Sequence, residues 1–316
     1  AITTAIHTTA LNISANNPHQ PWFFTNTSSI PITKLDEGAG LGGRIIGFHF
    51  YNPPAVQKLV EVIMAEQTLH EVESFALNYA KNLRKVVVPS HDVAGFIGNG
   101  HFMRDILHAT SLVDELTGKF SFTGAVCAVN KISQDFLVRP MGIFQLIDYV
   151  GVDVCSYIMS VMNSHLADEN LHSPLLDRLL ALGVKGGQYS DGSQKDGILK
   201  YEKGRPVAVF DPAANAYVAI SALQPGVDEK LGSLPVPPAW KAVVGNNAKD
   251  EILRGYFNQL KTASGPGAEL AKAYARRSRE IGLHLVTSGV AMNGNDVNTV
   301  LLTGFFHAYG PINQYI

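Results

Sequence analysis

RIIGFHFYNPPAVQKLVEVIM, residues 44–64, decides the fold. Two apolar runs rich in β-formers, RIIGFHF and LVEVIM, lie either side of Asn52-Pro53-Pro54, where proline removes a ladder donor and ends the first run. Two strands are predicted. Outward from them, PWFFTNTSSI (21–30) predicts a buried strand that ends in four small polar residues, Asn26 to Ser29, and VVVP (86–89) predicts a fourth strand. Between 64 and 86, Leu69, Val72, Phe75, Ala76, Tyr79, Ala80 and Leu83 fall on one helical face behind a Thr68-x-x-Glu71 capping box. Residues 1–19, with Ile2, Ile6, Leu11 and Ile13 and no capping residue ahead of them, read as a helix entered partway through.

After His91-Asp92 the patterns lengthen. GFIGNGHFMRDILHATSLVDEL (95–116), AVCAVNKISQDFL (125–137) and GIFQLIDYVGVDVCSYIMSVMNSHL (142–166) are helical in character. Strands followed by a block of helices predict an α/β domain joined to an all-α domain. PVAVF and AYVAI around Asp211 to Asn215 predict a hairpin, Pro235, Pro237 and Pro238 mark a linker, and 247–316 is helical again. VNKISQDFLVRPMGIF (129–144) and VNTVLLTGFFHAYGPI (297–312) share Val-Asn, a Phe and a Gly at an offset of 168, which suggests a duplicated helical unit.

Composition narrows the function classes. With 25 Lys+Arg against 27 Asp+Glu the 316-residue chain has net charge -2, so nothing favours a phosphate backbone and nucleic acid is not an expected partner. Apolar residues make up 46% and charged residues 16%, which argues against disorder and for a substantial core. The most apolar stretch, Phe136 to Met162, is interrupted by Arg139, Gln145, Asp148 and Asp153, so no membrane span is expected. Cys127 and Cys155 are too few for a disulfide framework or a four-ligand zinc site; no metal is expected, and cytoplasmic residence is.

GAGLGG (38–43) satisfies G-x-G-x-x-G, but a dinucleotide fingerprint follows a strand and opens a helix. Here a polar loop precedes and a strand follows, so the motif reads as a connector. Ligands of open α/β sheets bind beyond the carboxyl ends of strands, which directs attention to Asn26-Thr27-Ser28-Ser29 and His49-Phe50-Tyr51-Asn52. Glu61, inside an apolar strand, is costly unless paired, and a histidine is a natural partner. Taken singly, His49 also reads as a structural histidine, Glu61 as an edge carboxylate facing water, and Asn99 as a helix cap.

Together these residues resemble the L-3-hydroxyacyl-CoA dehydrogenase family. That family carries an S-N-T-S-S-L loop, G-x-H-F-F-N-P, a K-L-V-E-V strand, a G-F-I-x-N-R helix start and P-M-G-P-F-E-L-x-D-x-x-G-x-D. This chain has TNTSSI (25–30), GFHFYNP (47–53), KLVEVI (58–63), DVAGFIGNG (92–100) and RPMGIFQLIDYVGVD (139–153), in the same order. Twelve residues separate His49 from Glu61, and fifty separate His49 from Asn99, as in the family. The resemblance covers roughly residues 1–201 and, more loosely, the C-terminal helical repeat.

The resemblance implies hydride transfer between C3 of a 3-hydroxyacyl-CoA thioester and NAD. By position it implies His49 as the general base and Glu61 as the acid that orients the imidazole. Ser28 and Asn99 would contact the substrate oxygen or thioester and the cofactor; Asn52 would contact ligand; and Lys185, in GVKGG, would contact cofactor. The implied domains are 1–93, the C-terminal portion of a Rossmann-like NAD-binding domain; 94–200, the helical C-terminal domain; 201–240, hairpin and Pro-rich linker; and 241–316, a second helical repeat; a homodimer through the helical domain is the expected assembly. Gln145 replaces the family's Glu, Ile143 its Pro and Gly100 its Arg. The family's glycine-rich strand-turn-helix is not found, so an N-terminally truncated chain, inactive alone, is the expectation. A non-catalytic dimerisation module derived from the family, and a β-hydroxyacid dehydrogenase acting on a non-CoA substrate, are the alternatives.

Overall fold

The computed structural model describes residues 20–316 and, before them, Ala5, Thr8, Thr9, Asn12 and Ile13, each helical. The rest of the helix expected over 1–19 lies outside the described residues. The chain divides into two compact units, one of residues 1–101, 161–169 and 282–305, the other of 102–160, 170–281 and 306–316.

The first unit is built on a four-stranded sheet in the order β1 (Phe23–Thr25), β2 (Ile45–Phe50), β3 (Leu59–Met64), β4 (Val86–His91). β1 runs parallel to β2 and β3 parallel to β4, whereas β2 and β3 are antiparallel. Every residue of β2 and β3 except the last is buried, because both faces are covered. On one face Ile45 and Ile63 pack with Ile32, Leu35 and Ala39 of α1 (Ile32–Ala39) and with Phe96. On the other, Ile46, Phe48, Val60 and Val62 pack with Val72, Ala76 and Ala80 of α2 (His70–Asn82). α2 buries a narrower stripe than its sequence promised: Phe75 and Tyr79 are exposed and meet Trp22 and Phe24. β1 is correspondingly an edge strand with Phe24 exposed, not the buried strand expected from its composition.

The expected capping box of α2 is absent as well. Its N-cap is Leu69, and the Thr68 hydroxyl instead accepts from the Ala65 N–H at 3.0 Å and donates to the Ile45 carbonyl at 3.2 Å. α1 is capped from a distance: Asp92, just past β4, accepts from the Ile32 and Thr33 N–H groups at 2.5 and 2.7 Å and from the Thr33 hydroxyl at 2.7 Å. The turn 40–43 joins helix to strand, the reverse of a dinucleotide fingerprint, and the Gly43 N–H is already held by Asp36 at 3.0 Å.

Helix α3 (Phe96–Leu116) begins after Gly95, whose φ of 86° suits glycine and whose missing side chain leaves room for Met162. α4 (Phe122–Lys131) runs into a π-helical turn, Ile132–Phe136, where one continuous helix was expected. The long apolar pattern at 142–166 also breaks in two, as α5 (Ile143–Val150) and α6 (Val152–Asn163), bent by 87° at Gly151 with φ 109°. No single helix among the described residues is long and apolar enough to cross a membrane. α7 (Pro174–Ala181) is followed by an antiparallel meander, β5 (Leu199–Glu202), β6 (Arg205–Asp211) and β7 (Ala216–Ala219), which contains the expected hairpin. Four helices complete the chain after α8 (Ile220–Leu231): α9 (Trp240–Val243), α10 (Lys249–Thr262), α11 (Pro266–Thr287) and α12 (Gly294–Thr303). α12 belongs to the first unit and packs on β3 and β4, and the segment before it adds a bridge from Ala291 to Ser90 of β4.

Within the second unit Gln145 serves as the acceptor that a Glu would supply. Its Oε1 takes the Gly142 N–H at 2.9 Å and the Asn130 amide at 3.3 Å, fixing the start of α5. Asp148, on the next turn, is fully buried and accepts from the Ile198 and Leu199 N–H groups at 2.7 and 2.8 Å and from the Tyr201 hydroxyl at 3.0 Å.

Candidate active site

His49 and Glu61 are direct cross-strand partners of β2 and β3, so their side chains share one face of the sheet. His49 Nδ1 lies 3.8 Å from Glu61 Oε2, and among the described residues neither atom has a hydrogen-bond partner. Glu61 is fully buried and His49 is 8% exposed. A buried carboxylate needs donors. The other oxygen, Oε1, has two: the Tyr51 hydroxyl at 2.6 Å and the Gly98 N–H in the first turn of α3 at 3.0 Å. One carboxylate oxygen is thereby anchored, and the other is turned toward the imidazole.

The remaining sequence candidates divide. Asn99, next to Gly98, is not a cap; its Nδ2 donates to the Ser28 carbonyl at 3.1 Å, tying α3 to the loop after β1. That loop is tied to β2 as well, since the Phe50 N–H donates to Asn26 Oδ1 at 2.8 Å. Ser28, His49, Glu61 and Asn99 therefore stand on elements bonded to one another at the carboxyl ends of the parallel strands β1 and β2. Asn52 is exposed in the turn that leaves β2. Lys185 belongs to the second unit, where it is exposed and its carbonyl accepts the Val152 N–H at 2.7 Å.

Sequence reasoning placed Tyr51 only within the 49–52 stretch, without a role, and missed Gly98. Tyr51 follows His49 by two, the parity of a shared strand face, which was the available signal. Burial, followed by the charge of Glu61, raises the Tyr51 phenol well above its ordinary value, so it remains a donor. Phe96, at φ 48°, is fully buried with its ring centroid 6.0 Å from that of His49. What this arrangement can do chemically is move one proton, at an imidazole whose charged form has a carboxylate behind it.

The profile described as "3-hydroxyacyl-CoA dehydrogenase, NAD binding domain" matches residues 7–93, and "3-hydroxyacyl-CoA dehydrogenase, C-terminal domain" matches 95–201. A probable 3-hydroxybutyryl-CoA dehydrogenase of Deinococcus radiodurans is 34% identical over 172 residues, 54% of this chain and 60% of the relative. Human mitochondrial hydroxyacyl-coenzyme A dehydrogenase is 33% identical over 175 residues, 55% of this chain and 54% of the relative. The chain thus spans between half and two thirds of the length of these relatives. Among solved structures, an (S)-3-hydroxybutyryl-CoA dehydrogenase from Ralstonia eutropha aligns at TM-score 0.54 and 26% identity, over 63% of this chain and 67% of that one. A 3-hydroxybutyryl-CoA dehydrogenase from Escherichia coli aligns over 98% of this chain and 71% of that one, at TM-score 0.63 and 20% identity, which is a likeness of fold.

Proposed function

The chain belongs to the 3-hydroxyacyl-CoA dehydrogenase family, and from that premise we propose that it carries the proton-transfer site of a hydride exchange between a 3-hydroxyacyl-CoA thioester and NAD. The observation that carries the reading is the buried His49–Glu61 pair with one unpartnered atom on each side. NAD, when bound, would supply the hydride acceptor or donor for C3 of the substrate.

His49 supplies the accompanying proton step. Its Nδ1 is turned to Glu61, which leaves Nε2 to take the C3 hydroxyl proton in oxidation and to give it back in reduction. Glu61 stabilises the imidazolium so formed. The Ser28 hydroxyl, from the loop after β1, and the Asn99 amide, from the first turn of α3, polarise the substrate oxygen as charge develops, with Asn52 as a further ligand contact. The fit to NAD is at this reacting end; the 38–43 turn does not fit its phosphates, because the Gly43 amide is bonded to the Asp36 carboxylate. A homodimer formed through the helical domain and a cytoplasmic location complete the proposal, resting on the apolar helical region and on the sparse cysteines.

The test is NADH oxidation by acetoacetyl-CoA. It is measured for the purified chain and for the chain supplied in trans with the part of the Deinococcus radiodurans relative that it does not match. In whichever preparation turns over, His49→Gln lowers kcat at least about a hundredfold. No turnover in either, or an unchanged rate for His49→Gln, overturns the reading.

A further inference from the structure

We propose that Tyr51 is a positioning residue of this site, anchoring the Glu61 carboxylate and aiming it at His49 through a hydrogen bond that an aromatic ring without a hydroxyl cannot make. The proposal rests on the functional reading above. Position 51 is where the family motif G-x-H-F-F-N-P carries its second phenylalanine, and the tyrosine here adds one oxygen to that ring. The added oxygen is used: it donates to Glu61 Oε1 at 2.6 Å.

The surroundings are shaped to admit it. A Cβ on Gly98 would fall on the Tyr51 hydroxyl and lie 3.1 Å from Glu61 Oε1, so the glycine that contributes an N–H to the carboxylate also clears the space for the phenol. The ring is held on a second side by the end of α12. A Cβ on Gly304 would come within 2.9 Å of Tyr51 Cε1, the Phe305 ring meets it edge-on at 5.8 Å between centroids, and Gln57 Nε2 donates to the Gly304 carbonyl at 3.0 Å. Residues 304 and 305 lie beyond position 201, where the family's C-terminal profile ends. A segment outside the matched part of the chain therefore helps to seat the residue that holds the acid.

The consequence for the proton follows from which groups meet. Glu61 bonds the phenol and the His49 ring lies 5.0 Å from that of Tyr51, whereas α3 presents the Gly98 backbone and α12 presents Gly304 and Phe305, none of which titrates. With the phenol removed, Oε1 keeps only the Gly98 N–H, and the carboxylate's charge is left less compensated and bears more fully on the His49 ring.

Tyr51→Phe tests this. The ring that Gly304 and Phe305 enclose is kept, and only the bond is lost. In the pH profile of kcat for 3-hydroxybutyryl-CoA oxidation the acid limb should move to higher pH by about one unit, with KM changed less than about twofold. Independently of turnover, the pH midpoint of the His49 ring resonance, followed by NMR in the chain without cofactor, should rise in the same variant. A midpoint that rises while His49→Gln leaves turnover unchanged would sustain the positioning role and overturn the functional reading. A midpoint and profile unmoved by Tyr51→Phe overturn the positioning role, as does a shift seen only in Tyr51→Leu, which removes the ring as well and would mark a packing effect.

Discussion

Nδ1 of His49 and Oε2 of Glu61 stand 3.8 Å apart across two antiparallel strands, close enough for an ion pair and too far for a hydrogen bond. A charged ring closes that gap at the cost of a small side-chain movement, whereas a neutral ring gains less from doing so. Replacing Glu61 by Gln keeps the shape of the acid and removes its charge. The imidazolium then loses its stabilisation, so kcat for alcohol oxidation is expected to fall about ten- to a hundredfold and its acid limb to move to lower pH. This shift is opposite in sign to that expected for Tyr51→Phe. Steady-state rates across pH, compared with the unchanged protein, decide it; a profile that keeps both height and midpoint would mean that Glu61 serves folding alone.

Gly98 leaves no room for a methyl group beside the Tyr51 hydroxyl. Gly98→Ala is expected to destabilise the first unit by about 1–3 kcal/mol in urea unfolding, the usual cost of overpacking. Part of that cost should vanish in the double variant with Tyr51→Phe, since the atom struck first is gone. A coupling of at least about 0.5 kcal/mol between the two changes is expected, and strict additivity would refute the contact.

The strands and their ends were legible from residues 44–64 because short, continuous apolar runs rich in β-formers, the first stopped at Asn52-Pro53-Pro54, have few alternatives, and β2 and β3 fall where those runs placed them. His49 and Glu61 were legible because ionisable residues in apolar strands demand partners. Local preference failed where distant groups compete for the same atom. Thr68 was read as a cap, yet two backbone groups of the neighbouring strand region, Ala65 N–H and Ile45 C=O, take its hydroxyl. The true cap of α1, Asp92, lies sixty residues from Ile32 and gives no local signal. Gly151 was passed over as one small residue in an apolar helix, although its φ of 109° turns the chain there.

Asp92 makes a direct prediction for the site, because α1 follows the Ser28 loop and packs on the face that holds His49 and Glu61. Asp92→Ala leaves the first two amides of α1 without their acceptor and removes an anion from a helix N-terminus. A loss of about 1–2 kcal/mol is expected by urea unfolding, with Asp92→Asn losing less since an amide oxygen still accepts one bond. Equal losses for the two variants would show that the charge, and not the hydrogen bonds, holds the helix.

The second unit carries the clearest pH dependence. Burial pushes the Asp148 carboxyl up to about 7, although the N–H groups of Leu199 and Ile198 and the hydroxyl of Tyr201 pull the other way. The ordinary aspartate value near 3.9 applies to the unfolded chain. Between those two values the native state binds the proton and the unfolded state does not, so stability from this group is fully present below about pH 4 and is lost as pH rises through 7. The full swing is on the order of 4 kcal/mol. Asp148→Asn stays neutral throughout and sets one NH2 against a backbone N–H, so it is less stable than the unchanged protein at pH 5. By pH 8 the unchanged protein has lost its advantage, and the gap between the two should narrow by at least about 1 kcal/mol in urea unfolding at both pH values. A gap that stays constant or widens would mean that the carboxylate is already ionised in the fold at pH 5, with its three donors outweighing burial.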